Sequence, residues 1–329
     1  MTGLPPAAMR IALPPAIDPR AFLTRDASRP VVDLDGETMG TNWHVRLVPS
    51  ADFNLASTHA AITVRLDAIN DQMSHWAPSS LLCGFNRSEG GSRTMLPPDF
   101  SAVMIAALDV AEKSAGAFDP AIGRLVDLWG FGPPGAVAAP PTSAMIGAAR
   151  ATSGWRLLDY DARTSRLRQP GRLALDLSGI AKGFAVDAIV DLLDTHGIGH
   201  CLVEIGGELA GRGVRPDGEP WWVDLEDPPG TSLPPLRIAL HGLAVATSGN
   251  YRRGGHNLDP RTGRPLTNNI SSVSVIHRSA MIADAWATAL TVLGPVDGFA
   301  LAAREKLAAR MICGGEEHLS PALIAMLDG

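Results

Sequence analysis

Between Arg172 and Ile205 the chain reads RLALDLSGIAKGFAVDAIVDLLDTHGIGHCLVEI, and the periodicity changes twice within it. Arg172 to Leu177 has the length and apolar content of a short strand. From Ile180 the repeat becomes helical: Ile180, Phe184, Ala188 and Leu192 share one face, Asp187, Asp191 and Asp194 another, and Gly197 supplies a stop after His196. Cys201 to Ile205 then reads as a strand. Outward from this core the same alternation continues. Downstream come strands at Trp221–Leu225, Leu236–Leu240 and Ser272–Ile276, a helix from about Met281 to Leu293 ended by Gly294, and a last helix and strand over about 296–313. Upstream lie a strand at Thr41–Val48, a helical stretch carrying Ile62, Leu66, Ile69, Met73 and Trp76 that ends at Pro78, and a helix from Phe100 to Ser114. Several strands are joined by connections too short for a parallel crossover, so the fold class is α+β, with mixed and antiparallel sheets packed with helices in two intimately joined subdomains. The Pro/Ala/Gly-rich stretch 133–143 is a loop, and no internal repeat is present.

The 329 residues are 46% hydrophobic and 19% charged, with a formal net charge of −6, which suits a large buried core and argues against disorder. Acidic side chains outnumber basic ones and no long basic run occurs, so nucleic acid is not expected as a partner. No uninterrupted apolar run has the length of a membrane span. Cys83, Cys201 and Cys313 are far apart and read as small hydrophobes. Residues 1–30, with prolines at 5, 6, 14, 15, 19 and 30, are expected to form a flexible or surface-wrapping arm ahead of a single domain over 31–329. With neither a basic start nor an apolar h-region, that arm leaves the cytoplasm as the expected location; a trimmed periplasmic precursor would look the same.

Four segments are polar or glycine-rich where plain core would be expected. Asp176-Leu-Ser-Gly-Ile-Ala-Lys182-Gly183 lies where a strand feeds a helix N-terminus, whose open amides and positive dipole end suit a phosphate. Lys182 in the first turn opposes the dipole, a conflict that a nearby anion removes. Capping by Asp176 and Ser178 with a solvated Lys182 is the alternative. Asp284 and Thr288 stand four apart in an apolar helix, stacking a carboxylate and a hydroxyl on one face as hard divalent cations require; a hydroxyl bonded back along its own helix is the alternative. His256 precedes the turn Asp259-Pro-Arg-Thr-Gly263, where it can act as a general base or as a structural hydrogen bonder. Gly116-Ala-Phe-Asp119-Pro, followed by Trp129 and Phe131, can wall a pocket for a flat ligand, or these aromatics are core. P-loop, zincin and Gly-x-Ser-x-Gly hydrolase motifs are absent.

Taken in order, these segments resemble the ApbE family of FAD:protein FMN transferases. The resemblance runs through Thr38-Met39-Gly40-Thr41, Ser79 to Asn86, Gly116 to Pro120, Leu128 to Phe131, Asp176 to Gly183, Glu204 to Glu208, Pro220 to Pro228, Thr247-Ser-Gly249, Leu258 to Gly263 and Ala283 to Thr288, about residues 37–313. It implies an ApbE-like fold and an enzyme that uses Mg²⁺ to move the FMN half of FAD to a Ser or Thr hydroxyl of an acceptor protein, releasing AMP. It also implies flavin-dinucleotide contacts at Met39, Ala117, Phe118, Asp119, Asp176, Lys182 and Asn257 or Leu258, with Trp76 standing where many relatives place a tyrosine beside the flavin. The metal falls on the Gly179 carbonyl, Asp284, Thr288 and the backbone at Ala287. The resemblance makes His256 the candidate base, with Lys182 and Asp284 as the other catalytic side chains. An FAD pyrophosphatase releasing free FMN and AMP, and a non-catalytic FAD-binding protein, are the competing readings.

Overall fold

The structure is a computed structural model that describes residues 9–249 and 257–327. Its centre is an eight-stranded antiparallel sheet in the order Glu316–Leu319, Ala308–Cys313, Ile270–His277, Leu243–Gly249, Glu208–Arg212, Cys201–Ile205, Thr41–Leu47 and Val32–Thr38. Along Thr41–Leu47 the inward Trp43, Val45 and Leu47 are buried while Asn42, His44 and Arg46 are exposed, the period-two pattern of a sheet covered on one face. Nearer the centre both faces are covered: Ala244 and Ala246 join the helical core, whereas Leu243 and Val245 join a second core beneath Trp221, Leu236 and Leu323. Double coverage erases the alternation, which is why Leu243–Gly249 does not stand out as a strand in the sequence.

Helices pack on the first face. Leu55–Met73 buries Ile62, Leu66, Ile69 and Met73 as the spacing predicts, but it ends at Ser74, so Trp76 lies beyond it. Pro98–Lys113 and Ala181–Thr195 match their sequence readings closely. The helix Ala280–Arg304 runs through Gly294, whose non-helical backbone marks the break read from sequence. By length and composition this one helix is apolar enough to cross a membrane, a property the sequence reading did not credit; here it packs against Ala181–Thr195 and the central strands.

One reading is corrected. Residues 173–177 join no sheet ladder, and Arg172 before them is exposed with φ 62°; the Asn86 amide serves Leu175 instead, accepting from Leu175 N at 2.7 Å and donating to Leu175 O at 3.0 Å. Of the two forms expected for the arm, residues 10–13 take the surface-wrapping one: Arg10–Ala12 pairs in parallel with Leu236–Ile238, Ala12 is fully buried, and Leu13 N donates to Met326 O at 2.8 Å.

Candidate active site

The chemistry gathers where two helices begin. Ala181–Thr195 carries Lys182 in its first turn, and Ile180 at its N-cap makes no side-chain cap, so the capping alternative read from sequence is not what forms. Asp176 instead turns onto its neighbour, accepting from Ser178 N at 2.8 Å and Ser178 Oγ at 2.5 Å. The first turn of the Lys182 helix is approached by the Asp284 helix: Asp284 Oδ2 accepts from Gly183 N at 3.1 Å. Only glycine allows this, since a Cβ at Gly183 would lie 2.2 Å from Ala280 O.

Lys182 Nζ donates to Glu208 Oε2 at 2.5 Å. Glu208 is buried and opens a strand directly after the Gly206-Gly207 turn. Burial pushes the Glu208 carboxyl up to about 7; Lys182 opposes this and the neighbouring Asp284 adds to it. Burial also raises Asp284. Two buried acids thus share the charge of the Lys182 ammonium, an imbalance that a proton or a further cation removes.

Thr288 points to the same region, with its Oγ1 3.2 Å from Ser248 Oγ. A hydroxyl bonded back along this helix is found at Thr291, which donates to Ala287 O at 2.8 Å, so the Ala287 carbonyl already serves a partner. Gly179 faces Thr288: a Cβ there would stand 2.9 Å from Thr288 Oγ1 and 3.4 Å from Phe118 Cε2. Carboxylate, hydroxyl and an unshielded backbone therefore converge, while no cluster of three His, Cys, Asp or Glu side chains occurs among the described residues. That is an oxygen donor set, suited to a hard cation rather than to zinc.

The flavin-contact residues divide by exposure. Trp76 is 62% exposed, leaving its ring open to stacking. Met39 sits in the left-handed region at φ 50°, beside Gly40, in the turn joining Val32–Thr38 to Thr41–Leu47. Ala117 and Phe118 are buried, the Phe118 ring edge lying toward Gly179. Asp119 accepts from Ala121 N at 2.8 Å and Trp155 N at 3.0 Å, and burial lifts its carboxyl to about 6 against those bonds. It lines a cleft of about 340 Å³ with Gly116, Trp155, Arg150, Pro260 and Arg261. Lys182, Asp284 and Thr288 do not line that cleft. Trp155 Nε1 is buried there without a partner among the described residues, and Arg156 lies over its ring at 4.5 Å. Leu258 is buried and pairs with Pro265, Asn257 O accepts from Leu266 N at 3.0 Å, and Trp129 Nε1 donates to Gly263 O at 2.8 Å, tying the Leu-Trp-Gly-Phe segment to the Asp-Pro-Arg-Thr-Gly turn. His256 lies outside the described residues. Sequence reasoning did not single out Glu208 or Trp155 as site residues; for Glu208 the signal available was its place after the glycine pair.

Comparison with known proteins gives the family and the fold. Residues 39–311 match the ApbE family. The FAD:protein FMN transferase of Vibrio cholerae is 36% identical over 291 residues, 85% of this chain and 87% of that protein. The Salmonella typhimurium protein of the same name is 35% identical over 301 residues, 88% of this chain and 86% of its own. The crystal structure of Pseudomonas stutzeri flavinyl transferase ApbE in its apo form superposes with a TM-score of 0.84 at 35% identity, covering 91% of this chain and 98% of that one. Flavin transferase ApbE from Vibrio cholerae gives a TM-score of 0.84 at 34% identity, covering 90% of this chain and 99% of that one.

Proposed function

The chain belongs to the ApbE family, and we propose that the site around Lys182, Asp284 and Thr288 performs the reaction for which its relatives are named, transfer of FMN from FAD to a protein. The enzyme is a transferase with FAD as substrate and a second protein as acceptor. The observation that carries this reading is the joining of Gly183 and Asp284, 101 positions apart in sequence, which brings a lysine, a buried carboxylate and a helix hydroxyl to one place.

In the finer reading, a Ser or Thr hydroxyl of the acceptor attacks the FMN phosphorus. A new P–O bond forms, the diphosphate P–O bond breaks, AMP departs and the hydroxyl proton passes to a base, for which His256 is our candidate. Lys182, anchored by Glu208, presents a positive charge where phosphoryl oxygens gain negative charge. Trp76 offers its open face to the isoalloxazine, and the cleft beside Asp119 and Trp155 suits a second flat ring of the dinucleotide. Asp284, Thr288 and the Gly179 carbonyl would hold Mg²⁺, because the donor set is oxygen and the two buried acids outweigh the Lys182 charge. When bound, such an ion supplies Lewis-acid stabilisation of the diphosphate charge.

The test uses purified protein, FAD, Mg²⁺ and an acceptor bearing a threonine, read by acceptor mass and AMP release. FMN mass on the acceptor is expected. Free FMN would instead establish a pyrophosphatase, and unchanged FAD a binding protein. Asp284→Asn should reduce turnover to background while retaining flavin binding by fluorescence quenching. Full turnover in that variant would remove Asp284 from the mechanism.

A further inference from the structure

Asp187 lies on the polar face of the Lys182 helix with Asp191 and Asp194, yet unlike them it is turned into the protein. Its Oδ1 accepts from Ala280 N at 2.8 Å, and its Oδ2 from Met281 N at 3.0 Å and Ser279 Oγ at 2.6 Å. Ser279 in turn takes Ile282 N on its hydroxyl at 3.3 Å and Ala283 N on its carbonyl at 3.1 Å. Each of the four N–H groups that open the Asp284 helix is therefore satisfied, two of them by a carboxylate from another helix. The reverse contact also exists: Asp284, one turn into its own helix, accepts from Gly183 N at the start of the Lys182 helix. The two helices cap each other, and the pair of acids closes a ring through Asp187, Ala280, Asp284 and Gly183.

A helix start held at both backbone donors and cap hydroxyl has little freedom to slide or rotate. Asp284 and Thr288 follow within two turns, so their depth in the site is set at that start. We propose that Asp187 is a positioning residue for the reaction, fixing where Asp284 and Thr288 present their oxygens to the divalent cation. This rests on the reading of those two residues as cation ligands. Asp187 itself touches neither substrate nor cation; it acts through the helix.

The test is Mn²⁺ binding to the full chain, measured by calorimetry well below the unfolding temperature, beside kcat at saturating Mg²⁺. Asp187→Ala is expected to weaken Mn²⁺ binding by about tenfold or more, the range seen when a supporting partner of a metal ligand is lost. Asp187→Asn keeps an acceptor for Ala280 N and should fall between that variant and wild type; it also serves if the alanine variant does not fold. Glu317→Ala, which breaks the distant network with Arg10 and Arg310, should lower the melting temperature and leave Mn²⁺ affinity unchanged. Wild-type Mn²⁺ affinity in Asp187→Ala, or an equal loss in Glu317→Ala, would overturn the proposal. Asp284→Ala separates the two levels. If it abolishes Mn²⁺ binding while Asp187→Ala does not, the role of Asp187 alone fails; if it binds Mn²⁺ normally, the ligand assignment fails and the positioning role with it.

Discussion

Glu208 shows how one residue can be decisive and still escape notice in a sequence. Its carboxyl is pushed up to about 7 chiefly by burial, against an ordinary value of 4.5. A proton is thus held more tightly in the fold than in the unfolded chain, and the stabilising effect of that proton is complete below pH 4.5 and lost as pH rises through 7. Glu208→Gln has no such proton to lose. In metal-free protein, the stability difference between wild type and Glu208→Gln should move in favour of the variant as pH rises across that window, by up to roughly 3 kcal/mol, and stay flat outside it. Chemical denaturation in chelator at pH 4.5, 6 and 8 measures this, and a constant difference would contradict the raised value that burial gives the acid. The variant should also lose transfer activity, because Lys182 loses its anchor. Lys182, Asp284 and Thr288 were readable in the sequence because they fall in ordered motifs. Glu208 also falls in one of those motifs but was not singled out within it, and Asp187 read only as one of three acids on a polar face; what makes each matter is a partner 26 or 92 to 94 positions away.

Among the elements, the Asp284 helix joins local rules to site geometry most directly. Pro295 has no N–H to give to Thr291 O, and Asn268 Nδ2 donates to that carbonyl instead at 2.7 Å. Gly294 takes up the break at φ 81°, ψ −177°, a region essentially restricted to glycine. Gly294→Ala should therefore cost on the order of 1–3 kcal/mol and lower the melting temperature. Because Asp284 and Thr288 precede the break, kcat at a temperature where the variant is folded should match wild type; a large fall in kcat with no thermal effect would show that the break serves catalysis instead. The break was legible because Gly-Pro punctuates helices wherever it occurs. Arg172–Leu177 was misread as a laddered strand, since alternation reports burial and not which partner takes the backbone groups, here a side-chain amide. Glu208–Arg212 went unread because glycines interrupt it; a Cβ at Gly211 would lie 2.4 Å from Leu240 O, so close sheet packing demands the residue that hides the pattern.

At the scale of the whole molecule, the fold brings buried acids together and leaves them short of positive charge at the junction of two helices and a central strand. Burial raises both Asp284 and Glu208, and Glu208, at about 7, keeps its proton under mildly acidic conditions in the metal-free enzyme. A divalent cation favours the ionised carboxylates and must displace that proton, so its binding is linked to pH. The melting temperature gained on adding Mg²⁺ should accordingly be small at pH 5, grow through pH 6 and 7, and level off near pH 8, once Glu208, with its value of about 7, ionises without help. Other titrating groups, such as the buried His200, whose ring partners are Thr24 and Val214, shift the absolute melting temperature with pH. Lying outside this junction, they cancel in the difference with and without the ion. Thermal scans of the full chain at those four pH values, with chelator or with saturating Mg²⁺, provide the comparison, and Asp284→Asn should remove most of the Mg²⁺-induced gain at each. A gain that is equally large at pH 5, or that survives in Asp284→Asn, would place the ion away from these two acids and leave their charge imbalance to protons alone.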